Sequence, residues 1–241
     1  MSIERKSQWL ASPLGQYLQE QEQALFDAAV QNIFGFHAMQ FGMLEMPLLR
    51  HCRIPSQFNA DTEAGHIRCA SHQLPFKADS LDLVLLPHTL DFTDQTHQTL
   101  REAARVLVPE GHMILTGFNP LSSWGMRRLA SDHDHYPWGA HFISLMRVKD
   151  WLALLDCEVV ETRMICHMPP FRSSRGQGKW KTIERMGARL LPLMGGVYFV
   201  LAKKRVAGMR LIKPAWSKPR LKTNLLPAPT QRTDTQKKHE Q

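Results

Sequence analysis

Apolar positions along most of this chain fall either into short continuous runs or into stripes of helical period. The clearest run is 81–86, LDLVLL, apolar except for Asp82, which predicts a strand covered on both faces. Beyond it, Leu100, Ala103, Ala104 and Leu107 recur at i, i+3, i+4 and i+7, one face of a helix that Thr93 or Asp94 can cap. Pro109 and Gly111 predict a turn, and 113–116 the next buried strand. Strand, helix and strand within about 40 residues make a βαβ unit with a right-handed crossover.

The flanking segments extend this pattern. Residues 7–33 predict one or two helices, with Ser12 as cap and Pro13 at the first helical position. Their apolar stripe reads as Leu14, Tyr17, Leu18, Leu25, Ala28 and Ala29. Strands are predicted at 36–42, briefly at 57–59, and at 66–71. Ser144 can cap a helix running to about Asp156, with Leu145, Val148, Leu152 and Leu155 on one face. Residues 157–165 and 197–202 read as strands, the second a continuous apolar run. Between them, 166–181 reads as a basic loop followed by a short helix.

The segments LPF, SLDLVLLPHTLDF and RVLVPEGHMILTGFNP, all within residues 74–120, carry a family likeness. In that run the chain resembles class I S-adenosylmethionine-dependent methyltransferases of the type 11-like group. The resemblance implies an α/β, Rossmann-like fold: a doubly wound, mostly parallel seven-stranded sheet with an antiparallel last strand. N-terminal helices over about 7–33 would cover the ligand site. It implies S-adenosyl-L-methionine as cofactor and a small-molecule or modest polar acceptor.

The resemblance also nominates residues. The first strand of such proteins ends in a Gly-x-Gly-x-Gly loop that lets the backbone approach the cofactor. Here the loop reads Met39-Gln40-Phe41-Gly42-Met43-Leu44-Glu45, so only Gly42 matches. Asp61, 19 residues beyond Gly42, stands at the spacing of a ribose-binding acid, with Glu63 as a second candidate. Leu74 and Phe76 are candidates to flank the adenine ring, and Pro87 and His88 to touch the methionine part of the cofactor. His88 is also the candidate catalytic base, since imidazole titrates near neutrality. Asp91 and Asp94 can face the sulfonium or cap a helix. Asn119 is a candidate acceptor contact or a turn residue before Pro120. Trp124, Tyr136, Trp138 and His141 are candidate pocket liners.

Composition narrows the partners. The net charge of +8 is concentrated at one end. Residues 203–241 hold 11 Lys and Arg against 2 Asp and Glu, and the rest of the chain 19 against 20. A near-neutral body argues against a broad nucleic-acid face, while the tail can contact nucleic acid or acidic partners weakly. The domain is therefore expected at 1–205, and 206–241, with four prolines and little periodicity, as a disordered basic tail.

No apolar run reaches the roughly 18 residues of a membrane span, and the N-terminus lacks an apolar signal core, so a cytoplasmic protein is expected. The four cysteines have no C-x-x-C spacing and read as reduced core thiols. Asp132, His133, Asp134 and His135 supply metal-ligand types without a complete zinc pattern, and read as a loop. Two other readings remain open: a non-catalytic methyltransferase-like binding protein with a degenerate cofactor loop, and an RNA or protein methylase docking through the basic tail.

Overall fold

In a computed structural model, described at residues 3–131, 135–170, 187, 189 and 193–205, seven strands form one sheet in the order β3-β2-β1-β4-β5-β7-β6. The strands are β1 (His37–Phe41), β2 (Ser56–Asp61), β3 (Ile67–Arg68), β4 (Leu81–Pro87), β5 (Leu107–Phe118), β6 (Cys157–Ile165) and β7 (Val197–Lys204). β1 to β5 pair in parallel, and β7 runs antiparallel between β5 and β6. The expected doubly wound sheet with an antiparallel last strand is thus present. The parts of the reading that concern 171–186 and 206–241 lie outside the described residues.

Two helices, α1 (Ile3–Leu10) and α2 (Pro13–Val30), precede the sheet. Ser12 caps α2 by accepting from Gly15 N at 3.2 Å, with Pro13 at the first turn. The buried stripe of α2 is Tyr17, Leu18, Glu22, Phe26 and Val30: Tyr17 and Leu18 are buried as expected, Leu14, Leu25 and Ala29 are half-buried, and Ala28 is exposed. Phe26 and Val30 pack on the sheet face made by Ala38, Leu83, Leu85, Ile114 and Phe199. Phe26 meets Phe199 edge-on at 5.5 Å.

The opposite face carries Met39, Val84, Leu86, Met113 and Leu115, covered by α3 (Thr96–Val106) and, beyond the short α4 (Ser123–Leu129), by α5 (Leu145–Leu154), through Leu100, Ala103, Val148 and Leu152. Alternate residues of β4 therefore serve two cores, which is why the run has almost no polar position. Its exception, Asp82, accepts from Phe36 N at 2.8 Å and His37 N at 2.9 Å, satisfying the backbone where β1 begins.

Two local expectations change. α3 starts at Thr96 with Gln95 at its cap position; the Thr93 hydroxyl accepts from Gln95 N at 3.2 Å instead of capping the helix. Pro109 and Gly111 do not break the chain into a separate turn. They lie within β5, where the pairing jumps from Leu81↔Leu107 to Leu83↔His112. The extra residues form a bulge, with Glu110 in the left-handed region at φ 64°. α5 begins as expected, Ser144 accepting from Arg147 N at 3.4 Å.

Candidate active site

β1 and β4 are neighbours, and the chain reaches them from opposite directions along the sheet. Crevices form at such a reversal, beyond the carboxyl ends of the strands. Here a cleft of about 480 Å³ opens there, lined by the ends of β1 (Phe41, Gly42), β2 (Asp61) and β4 (Pro87, His88). Its remaining wall comes from Lys6 of α1, from 70–72 after β3, and from the segment between β4 and α3.

Gly42 stands at the bend out of β1 with φ 75°, a conformation that strains any side chain. A Cβ added there would meet nothing nearer than 3.9 Å, at Asp61 Oδ2 and Thr89 Oγ1. The backbone is thus bare toward the cleft, and Asp61 lies across from it. Asp61 Oδ1 is held by Thr62 Oγ1 at 3.2 Å and Glu63 N at 3.1 Å.

Met43 and Leu44, where related loops have glycines, do not fill the crevice. Met43 takes the left-handed backbone itself at φ 48° and turns its side chain into the core, its sulfur 3.8 Å from Tyr136 Oη. Gln40 keeps this turn in shape. Its buried amide donates to the carbonyls of Gly42, Met43 and Met46 at 2.9–3.1 Å, and Gln40 Oε1 accepts from Leu48 N at 3.2 Å. A side-chain amide therefore supplies the bonds that fix a loop poor in glycine.

On the other side of the cleft, His88 occupies the bend out of β4 at φ 51°, its N–H bonded to Thr116 O at 3.1 Å. The ring is 1% exposed. Nδ1 lies 2.9 Å from Asp91 Oδ2 and Nε2 2.7 Å from Glu22 Oε1. Burial by itself would lower the imidazole pKa. The Glu22 charge beside it, with hydrogen bonds to Asp91 and Glu22, outweighs that and raises it to about 9. That direction favours the protonated ring, which can donate from both nitrogens to the two carboxylates. Neither nitrogen is placed to take a proton from an acceptor, which goes against its candidacy as base. Burial also raises the Asp91 pKa, the His88 contact opposing it, and Asp91 Oδ2 further accepts from Phe118 N at 3.0 Å.

Of the residues nominated from sequence, Gly42, Asp61, Pro87 and His88 converge on the cleft. Leu74 and Phe76 do not: Leu74 is buried in the core, and Phe76 packs on Phe58 at 5.6 Å. Arg105 draws this strip down onto α3, donating to Leu74 O and Phe76 O at 3.1 and 3.0 Å. Ala70, Ser71 and His72 line the wall instead.

Asn119 is also structural, its amide donating to Leu193 O and Gly195 O at 3.1 and 3.0 Å. Trp124 and Trp138 are buried in a third apolar cluster, whereas Tyr136 does line the cleft. Sequence reasoning missed Glu22, Gln40, Thr89 and Phe92. Glu22 had a signal, a charge at an apolar-stripe position between Leu18 and Phe26.

Asp132, His133 and Asp134 lie outside the described residues, and no group of three metal-ligating side chains occurs among the described ones. No described helix is long and apolar enough to cross a membrane.

Comparison with known proteins agrees with this geometry. Residues 51–115, from the approach to β2 into β5, match the family model of a methyltransferase domain. The Escherichia coli (strain K12) protein YafS, described as uncharacterized, is 29% identical over 220 residues, covering 89% of this chain and 88% of YafS. Among solved structures, a Thermotoga maritima SAM-dependent methyltransferase, "possible histamine N-methyltransferase", superposes with a TM-score of 0.62 at 15% identity. That match covers 84% of this chain and 96% of the other. A geranyl diphosphate C-methyltransferase from Streptomyces coelicolor, solved with S-adenosyl-L-homocysteine, gives 0.53 at 18% identity over 78% and 79% of the two chains. Residues 51–115 thus match a methyltransferase-domain model, and this chain has the fold of class I S-adenosylmethionine-dependent methyltransferases.

Proposed function

We propose that the protein is an S-adenosylmethionine-dependent methyltransferase acting on a small-molecule acceptor by in-line methyl transfer. The observation that carries this reading is the open crevice between Gly42 and Asp61, which persists although Met43 and Leu44 stand where related loops have glycines. Its volume of about 480 Å³ lies in the range of small-molecule sites and leaves room for only a modest acceptor beside a cofactor. When bound, the cofactor supplies an electrophilic methyl on a sulfonium, which the acceptor's lone pair takes as the carbon–sulfur bond breaks.

The chain's own residues bind and orient. Bare backbone at Gly42 admits the amino-acid end, Asp61 Oδ2 accepts from the ribose hydroxyls, and Ser71 and His72 border the base. Pro87 and His88 form the wall at the methyl. His88 acts by position: its two carboxylate partners fix the bend out of β4. Most of the rate gain comes from holding donor and acceptor in line. An acceptor proton leaves to solvent after transfer, since both ring nitrogens of His88 are already bonded to carboxylates. A cytoplasmic location belongs to the same reading.

Calorimetric titration with S-adenosylmethionine tests the proposal. Binding that weakens by at least tenfold in Asp61→Ala is expected. No heat at millimolar cofactor would leave a non-catalytic binding protein as the better reading.

A further inference from the structure

The turn after β4 brings an aromatic platform to the cleft. Phe92, in the 3-10 turn Thr89–Phe92 after β4, lines the cleft and is 38% exposed, unusual for a phenylalanine so near a core. Its ring stacks on Tyr136 at 5.1 Å and 13°. Tyr136 is buried and held edge-on by Trp9 of α1 at 5.2 Å, and Trp9 packs in turn against Trp124. One face of Phe92 is thus backed by a rigid stack, which leaves the rest of the ring to the cleft. Such a surface favours stacking by a second flat ring.

Acids outnumber bases in the cleft around this platform. Glu45, Asp61, Glu63 and Asp94 line the same cleft, and among the described residues Lys6 is the one Lys or Arg there. Lys6 is already paired with Glu45 at 3.1 Å. The His88 imidazolium is spent on Glu22 and Asp91. A phosphate or carboxylate entering here would find acids and no unspent described cation. A cleft of one sign concentrates ligands of the other.

We infer that the acceptor is a small aromatic compound bearing an amine, recognised by stacking on Phe92 within the acidic cleft, and not a phosphorylated or carboxylated one. This rests on the methyltransferase reading above. It makes Phe92, at the far end of the turn after β4, the residue that selects the acceptor, while Thr89 at the start of that turn bonds Phe41 O at 3.1 Å beside the cofactor space.

The test uses the full chain saturated with S-adenosylhomocysteine. Failure of that loading step would count against the methyltransferase reading itself, before any acceptor is added. Tryptamine and indole-3-acetate, which share a ring and differ in charge, are then titrated calorimetrically, with propylamine as the ringless control. Tryptamine should bind at least tenfold tighter than either. Phe92→Ala should cost tryptamine roughly five- to tenfold in affinity, the scale of one aromatic contact, and leave the affinity for S-adenosylhomocysteine unchanged. Equal or tighter binding of indole-3-acetate, propylamine as good as tryptamine, no tryptamine binding at millimolar concentration, or a Phe92→Ala variant that binds tryptamine normally would each overturn the inference.

Discussion

His88 Nε2 and Glu22 Oε1 lie 2.7 Å apart, joining the bend after β4 to the second N-terminal helix through a fully buried ion pair. Asp91 closes the arrangement at 2.9 Å on the other ring nitrogen, and the Phe118 ring stacks beside the imidazole at 4.1 Å. Helix α2 is therefore bonded directly to the wall of the cleft.

The first prediction concerns pH. A folded-state His88 pKa of about 9 lies above the ordinary value of 6.5. Its contribution to stability is full below pH 6.5 and lost as pH rises through 9. The amount is of the order of 3 kcal/mol, from the size of the shift. Asp91, also raised, acts with the same sign: its share is full below its unfolded pKa and falls as pH rises through the folded one. Thermal unfolding followed from pH 6 to 10 should show a falling Tm, and His88→Gln should flatten the slope above pH 6.5. A wild-type Tm that stays level across that range would refute the charged triad.

Removing Glu22 should be costly. Glu22→Ala leaves the ring paired with Asp91 but takes the acceptor from buried Nε2, a change worth roughly 1–3 kcal/mol. Urea denaturation measures it. Glu22→Gln should recover part of the loss, because its amide oxygen can still accept from His88 Nε2.

Gln40→Leu removes the amide that holds 42–48 together. Met43 O and Met46 O keep the backbone N–H groups of Met46 and Leu48, so the loss falls mainly on Gly42 O, at roughly 1–3 kcal/mol for a buried unsatisfied group. Denaturation should register that, and cofactor affinity should fall as well because Gly42 and Met43 line the cleft. Unchanged cofactor affinity would separate the turn from the site.

Gly42→Ala should act on binding more than on folding. The added methyl meets no atom within 3.9 Å, so the fold bears mainly the cost of a left-handed alanine, about 1–2 kcal/mol. The same methyl projects between Asp61 and Thr89 into the space proposed for the cofactor. Titration should show at least a tenfold loss of cofactor affinity.

The elements were legible in sequence because each depends on a local pattern. The LDLVLL run has almost no polar position, since both faces of β4 are covered, and Ser12-Pro13 marks the start of α2 within one turn of chain. Gly42 and Asp61 were nominated by the family resemblance, which puts a glycine bend at the end of the first strand and an acid at the end of the second, and both lie on the cleft. What only the tertiary structure decided involves groups far apart in the chain. Glu22 meets His88 across 66 positions, and that contact turned a candidate base into a buried cation. Gln40 reads as an ordinary strand residue until the turn folds back onto its amide. Leu74 left the cleft because Arg105, 31 positions on, bonds its carbonyl. Hydrophobic period is set by each residue's own neighbours, but the charge state and exposure of a polar group are set by whatever the fold packs against it.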